Sequence, residues 1–200
     1  MRHFKIAFLT LVFFSLLLGL IYPLIMTSIV QLLFPHRANG SQITLNSKVV
    51  GSKLIGQSFS SPGYFHGRPS DCGYDAAHSS SSNLGPSNPE LFKQVQERIN
   101  HVRTENGLPD TAQIPADLVL ASGSGLDPEI SPQSARLQVT RIAKFRNLPE
   151  AVLQKLIEQK TQKPIIRVLG QPRVNVLTLN LGLDSISSQI WHNDSIRGIQ

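Results

Sequence analysis

Three stretches of this chain gather residue types that could do chemistry, and each departs from the pattern its chemistry needs. Gly51-Ser52-Lys53-Leu54-Ile55-Gly56-Gln57-Ser58 has the glycine spacing of a phosphate-binding loop, but Gln57 stands where a lysine would neutralise phosphate charge. Phe59 and a Pro/Gly-rich loop follow it, not a helix whose N-terminus would hold the anion, so the segment reads as a turn between strands. Ser122-Gly123-Ser124-Gly125 could offer a nest of backbone amides to an anion, and it suits equally well a tight turn between a short helix and Asp127-Pro128. It is not the elbow of a serine hydrolase, because Ser122 lies before Ser124 and Leu126 after it where glycines are required. His66, Cys72 and His78, with Asp71 and Asp75 between them, are too widely spaced for a zinc site, whose paired ligands stand about two to four residues apart. No catalytic residue, metal site or firmly bound cofactor is expected.

The long loop that holds those histidines carries a different kind of signal. From Ser60 to Pro89 the chain is rich in Ser, Gly, Pro, Asn and Asp, yet it includes Tyr64, Phe65, Tyr74 and Leu84. A loop of that length is functional or disordered, and the aromatics favour order. Aromatic and arginine side chains dominate interface energetics, so Tyr64, Phe65, Arg68, Asn83 and Leu84 are expected to form a partner-docking surface. The competing reading is that they pin the loop to its own domain.

The elements that must position these residues begin with an anchor. No charged residue occurs from position 6 to position 35, and Leu, Ile, Val, Phe and Met dominate that run. About 20 apolar residues suffice to cross roughly 30 Å of hydrocarbon. A signal peptide's apolar core is only about 7–15 residues and ends at a small-residue cleavage site. The longer run here leads into Pro35-His36-Arg37-Ala38, so an uncleaved membrane-spanning anchor is expected. Pro23 should kink it or mark its outer end. Arg2 and Lys5 put residues 1–5 in the cytoplasm by the positive-inside rule, with the rest outside.

The remaining chain suits one domain, residues 36–184, followed by a polar tail, 185–200, expected to be poorly ordered. The net charge of +6 is spread singly along the chain, which excludes a nucleic-acid footprint and leaves some attraction to membrane lipid. A single cysteine, Cys72, excludes an intrachain disulfide. Residues 43–59 read as two short strands with a turn. Ser87-Asn88-Pro89-Glu90 opens a helix with Leu91, Val95, Ile99 and Val102 on one face, stopped by Asn106-Gly107 and Pro109. Ser131-Pro132 opens a second, with Ala135, Val139, Ile142 and Ala143 inward, and Pro149-Glu150 a third, with Val152, Leu153, Leu156 and Ile157. Residues 174–181, V-N-V-L-T-L-N-L, read as a strand. The expected fold is a single N-terminal transmembrane helix plus one extracytoplasmic α+β (mixed α/β) domain, a small sheet covered by about three helices.

Five blocks in order carry a family resemblance. They are Gly56-Gln57-Ser58-Phe59; Tyr64-Phe65 with Arg68-Pro69-Ser70; Ser82-Asn83-Leu84-Gly85-Pro86-Ser87-Asn88-Pro89; Ala121-Ser122-Gly123-Ser124-Gly125-Leu126-Asp127; and Gly170-Gln171-Pro172-Arg173-Val174-Asn175-Val176 before Leu179-Asn180-Leu181 and Leu183-Asp184. Together they closely resemble the KdpC family, accessory subunits of the bacterial Kdp potassium-transporting ATPase. The resemblance implies a place in the inner membrane, with a channel-like potassium-binding subunit and a P-type ATPase subunit as partners and potassium as the cargo. It also implies a role as catalytic chaperone, raising the ATPase subunit's affinity for ATP, with residues 122–125 as a nucleotide contact. A domain outside the membrane would reach cytoplasmic ATP only through conformational coupling. Ser80 and Ser81 stand where the family's first Ser/Gly motif has glycines, which weakens a phosphate-cradling loop there. The alternative is a free-standing, single-pass extracytoplasmic sensor or ligand-binding module.

Overall fold

The computed structural model describes residues 1–164 and 170–197, with side chains described up to residue 188. By its contacts the chain divides between Val50 and Gly51 into two units.

The first unit is dominated by one apolar rod. Helix α1 (Arg2–Leu16) runs through a π-helical turn, Leu17–Ile21, into α2 (Tyr22–Leu33). Pro23 has no N–H and its ring crowds the carbonyl of Gly19, so the helix widens just before it, with the Tyr22 amide bonding to the Leu17 carbonyl. The hydroxyls of Thr10 and Ser28 donate to the carbonyls of Ile6 and Leu24, which satisfies both within the rod. Arg2–Leu33 is a candidate membrane span of 32 residues that contains an 18-residue stretch with a mean hydropathy of 2.4, none of it buried. A short turn, α3 (Pro35–Ala38), leads to the hairpin of β1 (Gln42–Leu45) and β2 (Lys48–Ser52). Its two turn residues, Asn46 and Ser47, both have positive φ, the backbone that a tight hairpin demands. Two strands are present as expected, but they turn at Asn46-Ser47 and end at Ser52; residues 53–59 form no strand, so Gly51–Ser58 is the exit from the hairpin and not a turn between strands.

In the second unit, α4 (Pro89–Asn106) begins where the Asn88 side chain accepts from the Glu90 amide and ends at Gly107 with φ 63°. A three-residue 3₁₀ turn, Ala116–Leu118, and β3 (Glu129–Ile130) follow. The helix expected from Ser131 is two: α5 (Pro132–Leu137), capped by Ser131, and α6 (Val139–Arg146), parted at Gln138. Helix α7 (Glu150–Lys160) buries Leu153, Leu156 and Ile157. Strands β4 (Thr161–Gln162) and β5 (Arg173–Asn175) complete an antiparallel sheet in the order β3-β5-β4, pairing Ile130 with Val174 and Thr161 with Val174. The core collects Phe65, Ile130, Val139, Ile142, Leu153, Ile157, Val174, Leu179 and Leu183. This is the mixed α/β body with a small sheet that the sequence implies.

One expected strand is corrected. Only Arg173–Asn175 is extended; Val176 opens α8 (Val176–Arg197). The Asn175 side chain accepts from the Thr178 amide and its carbonyl accepts from the Thr178 hydroxyl, a cap that turns strand into helix. Val176, Leu179, Asn180 and Leu183 are all buried, at the helical spacing of three and four, so burial overrides β propensity. The segment expected as a polar tail thus begins as the later turns of α8, and residues 198–200 lie outside the described residues.

Candidate functional site

The long loop is seated by two carboxamides. Phe65 is fully buried, so its backbone groups need partners, and Asn180 on α8 supplies both. The Phe65 amide donates to Asn180 Oδ1 and Asn180 Nδ2 donates to the Phe65 carbonyl, each at 2.9 Å. Gln138, between α5 and α6, does the same for the next residue: the His66 amide donates to Oε1 at 2.8 Å and Nε2 donates to the His66 carbonyl at 3.1 Å. Two side chains thus replace the neighbouring strands that an extended segment would otherwise pair with.

Around this clamp lies a charged frame. Arg141, buried on α6, donates to Asn106 Oδ1 at 3.0 Å, to Gln138 Oε1 at 2.9 Å and to the Pro62 carbonyl. Arg146 stacks on the Tyr64 ring at 4.4 Å and pairs with Asp184 at 2.8 Å, while the Tyr64 hydroxyl donates to the same carboxylate at 3.1 Å. Arg68 pairs with Asp127 at 2.9 Å and reaches the carbonyls of Leu120 and Ala121. The Tyr74 hydroxyl donates to the Arg68 carbonyl.

Between the loop and α4 opens a cleft of about 230 Å³ with His66, Arg68, Tyr74, Arg98, His101 and Glu105 on its walls. Its charges are answered internally, Arg98 by Asp71 at 2.9 Å and Glu105 by Arg141 at 3.8 Å, with the His66 ring 3.2 Å from the Glu105 carboxylate. Burial pushes the His66 imidazole below the ordinary histidine range and nearby Arg141 adds to this, against the Ser61 carbonyl and the Glu105 carboxylate. Both ring nitrogens face acceptors, an arrangement that suits the protonated ring, and desolvation is the larger effect. Among the described residues neither cleft imidazole bonds a hydroxyl or thiol, so neither is placed to activate a nucleophile. His66, Cys72 and His78 take separate partners: Glu105, Ser70 and Asp75.

Phe65 corrects the expected docking surface. Its ring is core, because no solvent-facing position accepts so large an apolar side chain as cheaply as the space between α6, α7 and α8. Tyr64 and Arg68 are half-buried and bonded to their own domain, the competing reading of the loop. Asn83, with φ 52°, is exposed and Leu84 half-buried.

The Ser/Gly stretch 122–125 meets the loop. Ser79 Oγ donates to the Ser124 carbonyl at 2.9 Å, and a Cβ on Gly125 would lie 2.6 Å from the Ser80 carbonyl oxygen and 2.7 Å from Cys72 Sγ. The Gly125 amide donates to the Ser122 carbonyl and the Leu126 amide to Ser124 Oγ. These two bonds close a tight turn over residues 122–126, the turn that the sequence offers beside the nest.

Sequence reasoning missed Asn180, Gln138, Arg141, Arg146 and Asp184 as loop holders. The only local signal was polar residues interrupting apolar helix faces, as Asn180 does between Leu179 and Leu183.

The resemblance noted in the five blocks can now be set against known proteins. Residues 4–185 match the family described as K+-transporting ATPase, c chain (KdpC). The chain belongs to the KdpC family. A potassium-transporting ATPase KdpC subunit of Beijerinckia indica subsp. indica is 52% identical over 187 residues, covering 92% of this chain and 94% of that protein. The same-named protein of Gemmatimonas aurantiaca is 49% identical over the full length of both chains, and that of Methylococcus capsulatus is 49% identical over 92% of this chain and 98% of its own. The matched region takes in the candidate span, the clamped loop and α8 as far as Asp184 and Ser185.

Proposed function

We propose that this chain is the accessory subunit of an ATP-driven potassium uptake complex, held in the bacterial inner membrane by Arg2–Leu33 with its domain on the periplasmic side. The observation that carries this reading is the family match across residues 4–185, together with relatives of nearly equal length named as KdpC subunits. The one candidate span among the described residues is too few to enclose a pore, and the chain has no Asp-Lys-Thr-Gly-Thr phosphorylation sequence, so the channel-like and ATPase parts belong to partner subunits. This subunit assembles with both and stabilises them, without catalytic residues of its own. Tyr64, Arg68, Asn83 and Leu84 lie on the docking side, Tyr64 and Arg68 shaping the loop and Asn83 and Leu84 reaching the partner. Its effect on ATP affinity passes through conformational coupling, since a domain outside the membrane does not meet cytoplasmic ATP.

The test is affinity purification of the tagged full chain from mildly solubilised membranes. Co-recovery of a multi-spanning channel-like protein and a P-type ATPase is expected. Recovery of the chain alone, under conditions that preserve other membrane complexes, would overturn the reading in favour of a free-standing sensor.

A further inference from the structure

The first acidic residue of this chain is Asp71. Within the first unit every charged side chain is therefore basic: Arg2 and Lys5 at one end of the apolar rod, Arg37 and Lys48 beyond the other. At about 1.5 Å per residue the 32-residue helix is about 48 Å long, against roughly 30 Å of hydrocarbon. Its apolar character persists to the last turn, where Leu32, Leu33 and Phe34 are 81%, 62% and 54% exposed. Covering them requires a tilted helix and a hydrocarbon boundary near Phe34.

The chain does not leave the membrane surface there. Gln31 Nε2 donates to Asn39 Oδ1 at 3.3 Å and the Ser41 amide to the His36 carbonyl at 2.9 Å, folding residues 35–41 back on the helix end. Strand β1 starts at the next residue. Strands of four and five residues reach no more than about 13–17 Å from that root, and each headgroup layer is about 5–8 Å deep. The hairpin thus stands in or just above the interface. Strand alternation and the two-residue turn put Ile43, Leu45, Lys48 and Val50 on one face. Leu45 is 53% exposed, and a two-stranded hairpin is marginal in water when nothing covers it.

We propose that this face, with Arg37 beside it, is a lipid-binding collar: anionic phospholipid headgroups engage Arg37 and Lys48 while Leu45 enters the headgroup–acyl boundary. Two observations select lipid. Charge of a single sign complements phosphate, and the face is continuous with a predominantly apolar helix that has no buried residue. Each basic residue so placed strengthens attraction to an anionic surface about fivefold. The inference holds for either orientation of the domain and is independent of the subunit reading.

The test uses the full chain with Cys72→Ser and a single label site, Leu45→Cys or, on the opposite face, Thr44→Cys, carrying a polarity-sensitive dye. The chain is reconstituted in phosphatidylcholine vesicles with or without phosphatidylglycerol and recovered by flotation. The Leu45 label is expected to be quenched by headgroup-spin-labelled lipid and shielded from aqueous iodide, more so with phosphatidylglycerol, while the Thr44 label is not. Adding R37Q and K48Q should remove the phosphatidylglycerol dependence. Equal iodide quenching at both sites in both vesicles would overturn the proposal. So would shielding of Leu45 that appears only when the partner subunits are co-purified, because a protein would then cover this face.

Discussion

Asn180→Leu is the sharpest perturbation of the loop clamp. Leu keeps the branching of Asn at Cγ, with bulkier ends, but offers neither donor nor acceptor, so the Phe65 amide and carbonyl lose their partners together. Phe65 is 0% exposed and Asn180 1%, so water cannot replace them without opening the core. Each orphaned buried group costs about 1–3 kcal/mol, which sums to about 2–6 kcal/mol, a large share of the roughly 5–15 kcal/mol that stabilises a typical domain. At about 2–4 °C per kcal/mol for a chain of this size, the melting temperature should fall by about 4–24 °C. The assay is thermal unfolding of the full chain in mild detergent, followed by near-ultraviolet circular dichroism, with limited proteolysis as a local readout. Cleavage should appear first in residues 60–88, because Phe65 leaves the core before the helices melt. Asn180→Asp keeps the acceptor but faces the Phe65 carbonyl with a carboxylate oxygen, so it should fall between wild type and Leu at acid pH and approach Leu at neutral pH. A Leu variant within about 0.5 kcal/mol of wild type, with the loop intact to protease, would refute the clamp.

Gly125→Ala should cost at least about 1–3 kcal/mol for a residue held at φ 69°, and its Cβ would press on Ser80 and Cys72, so protease sensitivity between residues 72 and 80 should rise with the loss of stability. Lowering the pH should destabilise the domain through His66: its folded pKa lies below the unfolded 6.5, so its contribution is full above pH 6.5 and is lost as the unfolded state takes up the proton first. His66→Gln should flatten that part of the pH–stability profile, and an unchanged profile would exclude His66 as its source. Arg68→Ala removes a half-exposed ion pair and two carbonyl contacts, and should lower stability by about 1–2 kcal/mol in the chain alone. An unchanged melting temperature with loss of co-purifying subunits would instead make Arg68 a direct partner contact.

What the sequence by itself determined are the features whose physics is local. A helix that satisfies its own backbone needs only length and apolar composition to cross a bilayer, so the run from 6 to 35 was legible as a span from its residues alone, and the structure has a candidate span there, Arg2–Leu33. The ends of α4 and the start of α5 were equally plain, because Asn88, Gly107 and Ser131 act on amides and carbonyls within a few positions of themselves. Tertiary structure decided where a residue's partner lies far along the chain. Phe65 could have been docking surface or core, and Asn180, 115 positions away, settled it by holding its backbone inside. Residues 174–181 fit both periods, and the Asn175 cap with the burial of Leu179 and Leu183 chose the helix. Ser79, Ser80 and Cys72 came against residues 122–125 by the same kind of choice, since a hydrogen bond or a packed ring stabilises any partner that the rest of the core brings within reach.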